Sequence, residues 1–199
     1  MYNTDEYVNL IKERLSPYRF NHSMCVAERA AELAKKYNID SEKAYVAGVL
    51  HDITKEDELE TQKAEIEADG TKMTPLEIRN KNVYHQMSGA AYVKNHLGIT
   101  DDDIISGIRY HTTGRENMTL FEMLIYLADF TSADRSYPDV EEMRRRTDNS
   151  LLDGMLYSLK HTIVDLAGKN KQIHPDTLNC YNWALGEIDK NNQQQERNN

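Results

Sequence analysis

The sequence predicts an all-α fold, and three observations carry that prediction. Its 199 residues include only nine glycines and four prolines, the residues that most disfavour a helix interior. Glu, Lys, Leu and Ala, which favour helix, are abundant. Apolar residues recur at steps of three or four positions through most of the chain, which is the spacing of one helical face. We find no convincing strand pattern, so we expect a bundle of helices.

Capping residues predict where several of these helices begin. Ser16 followed by Pro17, and Thr74 followed by another proline, are typical of an N-cap and the first helical turn. Asp40 can cap the third helix, and Thr119 opens a Thr-x-x-Glu capping box. The predicted helices span about residues 5–15, 17–37, 40–51, 56–68, 75–78, 84–97, 101–111, 119–130, 140–147, 150–168 and 176–188.

Composition predicts a soluble globular protein. Hydrophobic residues make up 39% of the chain and charged residues 29%, which is typical of that class. We expect a single domain over residues 1–190, with its functional core at about 18–135, and a polar, frayed tail at 191–199. The sequence does not fix the oligomeric state and is compatible with a homodimer.

The charge balance bears on the partners of the protein. The formal net charge is -9 and the longest basic run is Arg144–Arg146, so we expect no nucleic-acid partner. A small anionic substrate is still allowed, because charges farther away than about 8 Å are largely screened at physiological salt. The polar amino terminus and the lack of any apolar run of about 18–20 residues predict no membrane partner and a cytoplasmic location.

The most informative stretch is Val49–Lys55, where an apolar helix ends in His51 and Asp52. Apolar residues on both sides of the pair place it at least partly inside the protein. A buried carboxylate without a partner costs on the order of several kcal/mol. Asp52 therefore needs a cation, a metal ion or a set of hydrogen-bond donors.

Further histidines and one further acid lie at helix ends or on apolar helix faces. A single inward histidine is more often a hydrogen-bonded core residue than a ligand, but chance is a poor account of four histidines and two acids together. Imidazole and carboxylate suit Fe, Mn, Zn and similar ions, and the absence of thiolates argues against a structural zinc cage. The candidate metal ligands are His22, His51, Asp52, His85, His111 and Asp129.

Six ligands are more than one catalytic ion needs. Two ions about 3.5–4 Å apart that share a carboxylate fit the count better, and Asp52 is the natural bridge. The other three histidines, His96, His161 and His174, have polar or terminal surroundings and no matching acid in the sequence. We assign them no metal.

These residues resemble the H…HD…D signature of HD-domain metal-dependent phosphohydrolases. The finer match is to the YqeK family of bacterial HD proteins, and the likeness covers about residues 20–145. It is carried by three segments, Leu50–Lys55, Ile108–Arg115 and Tyr126–Asp129.

The resemblance implies an HD-domain helical bundle that hydrolyses diadenosine tetraphosphate symmetrically to two ADP, with a metal-activated water at a dinuclear centre. Iron is the implied cofactor, with Mn, Zn, Co or Mg as alternatives, and a small dinucleoside polyphosphate is the implied partner. One ion would be held by His22, His51, Asp52 and Asp129. The second would be held by His85 and His111, with Asp52 between the two.

Several residues near these motifs are candidates for contact with substrate. Asp52 and Lys55 are the candidate catalytic residues, since a lysine one turn after the shared carboxylate could reach phosphate. The threonines and the glycine that follow His111 offer hydroxyls and a flexible backbone, although turn chemistry explains them equally well. Two arginines could clamp phosphate, although a surface role is the alternative. The candidate substrate-binding residues are Lys55, Thr112, Thr113, Gly114, Arg115 and Arg135.

Three rival interpretations remain open from the sequence. The same scaffold could carry a di-iron oxygenase, since ligands alone do not separate the two chemistries. It could be a phosphohydrolase acting on another nucleotide. A nucleotide sensor that keeps the metals for structure is the third, and it predicts tight binding without turnover.

Metal content and activity are expected to depend on pH. Imidazoles must be neutral to bind a metal and their unperturbed pKa is about 6.5, so both quantities should fall as the pH drops below about 6. Metal analysis of protein dialysed at several pH values, alongside activity, checks this. Full retention of metal at pH 5 would count against a histidine-rich site.

Overall fold

The computed structural model describes residues 2–198, apart from the side chains of residues 195 and 198. It contains eleven α-helices and one 3₁₀ turn at Lys81–Val83, and no strand occurs within these residues, so the all-α prediction is confirmed. The helices are α1 (Thr4–Arg14), α2 (Pro17–Lys36), α3 (Ser41–Leu50), α4 (Leu59–Ala68), α5 (Pro75–Arg79), α6 (Tyr84–Asn95), α7 (Asp102–Tyr110), α8 (Leu120–Thr131), α9 (Val140–Asn149), α10 (Leu151–Gly168) and α11 (Pro175–Asn198).

The side-chain caps form where the sequence predicts them. The hydroxyl of Ser16 accepts a hydrogen bond from the backbone N–H of Arg19 at the start of α2. The carboxylate of Asp40 accepts two backbone N–H groups at the start of α3. Thr74 and Thr119 each form a complete capping box. Because a cap satisfies N–H groups that have no partner inside the helix, it fixes the residue at which the helix begins.

Two helix boundaries differ from the prediction. Helix α4 begins at Leu59 rather than near 56, because Glu56 instead accepts hydrogen bonds from the backbone and hydroxyl of Ser16 at 2.6 and 2.7 Å. Helix α11 continues through Asn198, past the predicted end near 188. Residue 199 lies outside the described residues, and fraying of the 191–199 tail stays a prediction.

Helix α8 forms the centre of the bundle. It packs against α2, α3, α7, α9 and α10, and its residues from Phe121 to Ala128 are all buried. Such an all-round apolar helix is stable only when neighbours cover every face. The main apolar core surrounds it and draws residues from Ile11 in α1 to Ala184 in α11.

This packing brings several helix ends together on one side of α8. His51 and His111 are the residues that directly follow α3 and α7. Asp129 lies in the last turn of α8, and His22 and His85 lie near the starts of α2 and α6. The residues predicted to bind metal therefore come from five different helices.

In the part of the chain that the structure describes, no helix combines the length and apolar character needed to cross a bilayer. The predictions of a cytoplasmic location, of a single domain over residues 1–190 and of a homodimer stay predictions.

A small second apolar cluster is formed where α4 meets α6. Its buried members are Ile66, Val83, Tyr84 and Met87.

The contact between α2 and α3 predicts a strong effect of one methyl group. A Cβ atom added at Gly48 would lie 2.6 Å from the Cα atom of Ala27, so Gly48→Ala must push the two helices apart. We expect a loss of about 1–3 kcal/mol in the free energy of unfolding, measured by urea denaturation.

Gly186→Ala is the matched control for this substitution. Gly186 lies inside α11 and an added Cβ would have no neighbour within 4 Å. We expect it to gain about 0.5–1 kcal/mol from helix propensity. Equal stabilities of the two variants would contradict the close packing of α2 on α3.

Candidate metal centre

The structure brings the six predicted metal ligands into one buried cluster. The four histidine side chains and Asp52 are each 3% exposed or less, and the side chain of Asp129 is 17% exposed. Of the six, His111 and Asp129 line a cleft, and the other four lie behind them in the interior. That degree of burial is rare for charged and polar groups unless they have partners.

One half of the cluster contains His22, His51 and Asp129. Each of them offers a nitrogen or oxygen atom, and the three atoms lie within 4.8 Å of one another. The shortest separation is 3.0 Å, between Nε2 of His22 and Oδ1 of Asp129. Three donors of this kind are typical of one face of a metal coordination sphere.

The other half contains His51, Asp52 and His111, whose ligand atoms also lie within 4.8 Å of one another. His85 completes it, since its Nε2 atom is 3.1 Å from Nε2 of His111 and 3.5 Å from Oδ1 of Asp52. His51 belongs to both groups, and Asp52 lies among His51, His85 and His111 at 3.5 Å from each. The geometry thus gives two adjoining sets of donors.

Backbone and carboxylate groups fix the orientation of three imidazoles. Nδ1 of His51 lies 2.7 Å from the carbonyl of Gly48, and Nδ1 of His111 lies 2.7 Å from the carbonyl of Ile108. A carbonyl only accepts, so each Nδ1 carries the proton and each Nε2 presents its lone pair to the cluster. Nδ1 of His22 has a carboxylate partner at 2.8 Å. Partners of this kind orient histidines that bind metals.

The donor atoms fit a metal ion. Nε2 of His51 and Oδ1 of Asp52 are buried and have no hydrogen-bond partner among the described residues. Leaving such atoms unsatisfied costs about 1–3 kcal/mol each. A cluster of imidazoles and carboxylates without thiolates is the donor set of divalent transition metals, so these residues could hold such ions.

Burial keeps two of the histidines neutral. It lowers the pKa of His51 to about 4, against an opposing effect of Asp52. Burial, together with the nearby cation of Lys55, lowers the pKa of His85 well below its ordinary value. Both imidazoles are therefore unprotonated at neutral pH, which is the state that binds a metal.

His22 behaves differently because it lies between two carboxylates. Burial alone would lower the pKa of His22, but Asp129 and Asp134 on its two nitrogens raise it above the ordinary value. A metal at Nε2 would have to displace the proton there. Metal binding at this half of the cluster should therefore release a proton wherever this imidazole is protonated.

Cations surround the two carboxylates. Burial by itself would raise the pKa of Asp52, but His51 and Lys55 hold it well below its ordinary value. Nη1 of Arg19 lies 2.8 Å from Oδ2 of Asp52. For Asp129, burial is likewise outweighed by Arg135, with which it forms an ion pair, so its pKa is also well below the ordinary value. Both acids are ionised at neutral pH.

Comparison with known proteins agrees with this geometry. A model of the HD domain family matches residues 19–134, which is more than half of the chain. The chain belongs to the HD domain family. The matched region includes all six candidate ligands, and the sequence resemblance to HD-domain proteins is confirmed.

Curated relatives cover nearly the whole chain of this HD-domain protein. A Bacillus subtilis protein named symmetrical bis(5'-nucleosyl)-tetraphosphatase is 36% identical over 183 residues, which is 92% of this chain and 98% of the relative. A Halalkalibacterium halodurans protein of the same name is 37% identical over 188 residues, 92% of this chain and 97% of the relative. These matches confirm the resemblance to the YqeK family.

A solved structure shares the fold of this HD-domain protein. It is a Clostridium acetobutylicum protein described as a predicted HD superfamily hydrolase involved in NAD metabolism. Its TM-score is 0.91 at 33% sequence identity, and the match covers 94% of this chain and 99% of that one. The helical arrangement around the cluster is therefore that of an HD superfamily hydrolase.

The cluster adjoins a cleft of about 900 Å³ through His111 and Asp129. Four of the predicted substrate-binding residues line this cleft together with His111 and Asp129: Lys55, Thr112, Thr113 and Arg135. Nζ of Lys55 lies 2.8 Å from Nε2 of His85, and the hydroxyl of Thr112 lies 3.0 Å from the same atom. Lys55 and Thr112 therefore lie beside a candidate metal ligand, and contact of these residues with substrate stays a prediction.

The remaining two predicted substrate-binding residues do not line the cleft. The guanidinium of Arg115 pairs with the fully buried Glu122 at 3.0 Å and lies over the ring of Tyr110. Gly114 has a φ of 64°, and an added Cβ there would lie 2.9 Å from Sγ of Cys180. Both residues shape the connection between α7 and α8, so their position does not support the predicted phosphate contact.

Three residues around the cluster were not singled out in the sequence. Arg19 precedes His22 by one helical turn, so the same periodicity that identified His22 could have found it. Asp134 contacts His22 from a loop that carries no helical pattern. Gln86 accepts the backbone N–H groups of Thr112 and Thr113 at 3.1 and 3.2 Å, and only the tertiary structure shows that contact.

Two of the histidines that were assigned no metal do have acidic partners. Nε2 of His96 lies 2.9 Å from Glu65, and Nε2 of His174 lies 3.4 Å from Glu77. The expectation that no matching acid is present was wrong for them, because both acids come from distant parts of the sequence. Each histidine has one acid near that nitrogen and lies outside the donor groups described above.

Asp129→Ala should remove metal and leave the fold intact. The substitution deletes the carboxylate donor of the first group at the end of a helix whose packing face is unaffected. We expect at least one equivalent of metal to be lost, with a helical circular-dichroism spectrum like that of the wild type.

Asp189→Ala is the control for Asp129→Ala, since Asp189 is an exposed acid in α11. It should bind as much metal as the wild type. Equal metal content in all three proteins, measured by elemental analysis, would remove Asp129 from the ligand set.

Proposed function

We infer that this protein is a phosphohydrolase that cleaves diadenosine tetraphosphate symmetrically into two molecules of ADP. The observation that carries the proposal is the cluster of six candidate metal ligands, two of which line a cleft that also presents Lys55 and Arg135. Relatives that match this chain over more than nine tenths of its length bear the name of that activity. The substrate is a long polyanion, which matches a cleft lined by cations.

The donor set supports two ions. We propose that His22, His51, Asp52 and Asp129 hold one, and that His85 and His111 hold the other with Asp52 shared between them. Iron is the proposed metal, and Mn, Zn, Co or Mg suit some or all of the same oxygen and nitrogen donors. When bound, such ions activate a water molecule for attack and neutralise phosphate charge.

Lys55 and Arg135 are placed to hold the phosphates. The side chain of Lys55 is about one third exposed, and its Nζ atom lies among His85 and Asp52 at 2.8 and 3.8 Å. Nε of Arg135 donates to the backbone carbonyl of Asp129 at 2.8 Å, which directs the guanidinium towards the cluster. An arginine fixed in this way can bind two phosphate oxygens at once.

Burial strengthens the effect of the lysine. Burial lowers the pKa of Lys55, although Asp52 opposes that change. A cation that has lost part of its hydration interacts more strongly with a phosphate than an exposed one does, because the local dielectric constant is lower. Fixed charges of this kind favour the transition state, in which negative charge builds up on the leaving phosphate.

Symmetrical cleavage requires the central bridge of the tetraphosphate to lie over the cluster. Attack of water on one of the two middle phosphorus atoms breaks the bond to the bridging oxygen. The water oxygen remains on one product, the bridging oxygen leaves with the other, and both products are ADP. Lys55 and Thr112 flank the same imidazole, which supports the proposal that they hold the oxygens of these middle phosphates.

A second candidate is a phosphohydrolase of the same type that acts on another nucleotide. The observation that favours it is the similarity to the Clostridium acetobutylicum protein, whose description places it in NAD metabolism. The ligand set is equally suited to either substrate, since both contain phosphoanhydride bonds. A di-iron oxygenase remains the rival from a different reaction class.

Product analysis under nitrogen tests the proposal. Metal-loaded protein is incubated with diadenosine tetraphosphate without oxygen, and the nucleotides are separated by anion-exchange chromatography. We expect ADP as the sole product. AMP with ATP would move the attack to an outer phosphorus, and no turnover by protein of confirmed metal content would remove this substrate. Turnover that requires oxygen would favour the oxygenase.

Lys55→Met tests the role of the lysine. Methionine keeps most of the side-chain volume but removes the charge, so we expect kcat to fall about 10²-fold, the scale of losing one preorganised charge contact. The metal content should not change. Lys63→Met, at an exposed position in α4, is the control and should retain wild-type kcat. Normal kcat in Lys55→Met would show that the lysine does not act on the reacting phosphates.

A further inference from the structure

The cleft extends well beyond the metal centre. Its far part is lined by the segment that follows α8 and by the second half of α10. The residues there differ in character from those at the metal centre, because Phe130, Tyr137, His161 and Leu166 present rings and apolar carbon rather than ligands. The rings there lie beside charged side chains such as Asp165 and Lys169, and a cleft that combines rings with charged groups suits a ligand with both aromatic and charged parts.

Two rings face this part of the cleft. The ring centroids of Tyr137 and His161 lie 5.4 Å apart with their planes tilted by 39°. The hydroxyl of Tyr137 donates to the carbonyl of Phe130 at 2.8 Å, which fixes the tyrosine ring against the end of α8. His161 is exposed, and among the described residues it makes no side-chain hydrogen bond or ion pair. The exposed ring of His161, next to a fixed tyrosine ring, therefore has a surface available for stacking with a ligand.

The ring pair is close to the proposed phosphate clamp. Tyr137 follows Arg135 by two residues, so their Cα atoms are at most ~7 Å apart in a fully extended chain. If Arg135 binds a phosphate, the nucleoside attached to that phosphate would therefore lie near Tyr137. Asn82 and Gln172 line the same cleft, and their amide groups are of the kind that can hydrogen-bond to the edge of a base.

We propose that Tyr137 and His161 form a stacking platform for the base of one nucleotide half of the substrate. This inference rests on the proposed function, because it takes the phosphates to be bound at the metal centre. All nucleic-acid bases can stack on tyrosine and histidine rings, because every base has an aromatic face. The ligand class is therefore a nucleoside 5'-diphosphate unit, with the base on the rings and the phosphates at Arg135 and the cluster.

The chain offers a matched control for this pair. Tyr92 and His96 also form a tyrosine–histidine stack, with ring centroids 4.6 Å apart and planes at 24°. That stack lies on α6 and at its end, and neither residue lines the cleft. His161→Ala and His96→Ala each remove one imidazole from a tyrosine–histidine pair. Only His161 faces the proposed ligand.

Binding of ADP, measured by titration calorimetry on metal-loaded protein, tests the platform without requiring turnover. Inorganic pyrophosphate serves as the probe that keeps the two phosphates and lacks the nucleoside. We expect His161→Ala to weaken ADP binding about tenfold, the scale of losing part of one stacking contact, and to leave pyrophosphate binding unchanged. His96→Ala should match the wild type with both probes.

Substitutions at the tyrosine separate stacking from local structure. Tyr137→Phe keeps the ring and should bind ADP as the wild type does, whereas Tyr137→Leu should weaken ADP binding more than pyrophosphate binding. The platform is overturned if wild-type protein binds ADP no more tightly than pyrophosphate. It is also overturned if His161→Ala binds ADP normally, or loses both probes equally.

The same variants distinguish a failure of the platform from a failure of the proposed function. If His161→Ala hydrolyses diadenosine tetraphosphate with unchanged KM and kcat, the function stands and the platform is wrong. If ADP binding depends on His161 but diadenosine tetraphosphate is not hydrolysed, the platform stands and the substrate is another nucleotide. A raised KM with nearly unchanged kcat supports both.

Discussion

The carboxylate of Asp52 lies in the protein interior with 2% of its surface exposed, and an isolated charge cannot remain there without compensation. Three histidines, Lys55 and Arg19 surround it within 3.8 Å. Those groups come from α2, α6, the end of α7 and the turn after α3, so satisfying one charge constrains how these helix ends meet.

Cations gather at the site although the whole molecule is acidic. The chain carries a formal net charge of -9, yet Arg19, Lys55 and Arg135 all converge on the acidic cluster. Because solvent screens the distant acids, the charges close to the site matter most to a bound anion, and Lys55 and Arg135 line the cleft where it would lie. A protein that is acidic overall can therefore still bind a polyphosphate where cations are gathered locally.

Much of the fold and of the cluster could be predicted from the sequence because the signals are local. Caps at Ser16, Asp40 and Thr119 act within four residues, and the inward position of His22 follows from helical periodicity. What could not be predicted depends on contacts across the fold. Glu56 shortens α4 by binding Ser16, and Arg115 turns to the buried Glu122 instead of the cleft. No local sequence pattern indicates either of these contacts.

The origin of the cluster in five helices has a consequence for the stability of the protein. The ligand residues run from His22 in α2 to Asp129 in α8, so ions bound there would cross-link distant parts of the chain and close long loops in it. Closing a loop restricts the unfolded chain far more than the folded one, where the ends already meet. The ions would then act as reversible cross-links, and the supply of metal in the cell would affect the stability of the folded enzyme as well as its activity.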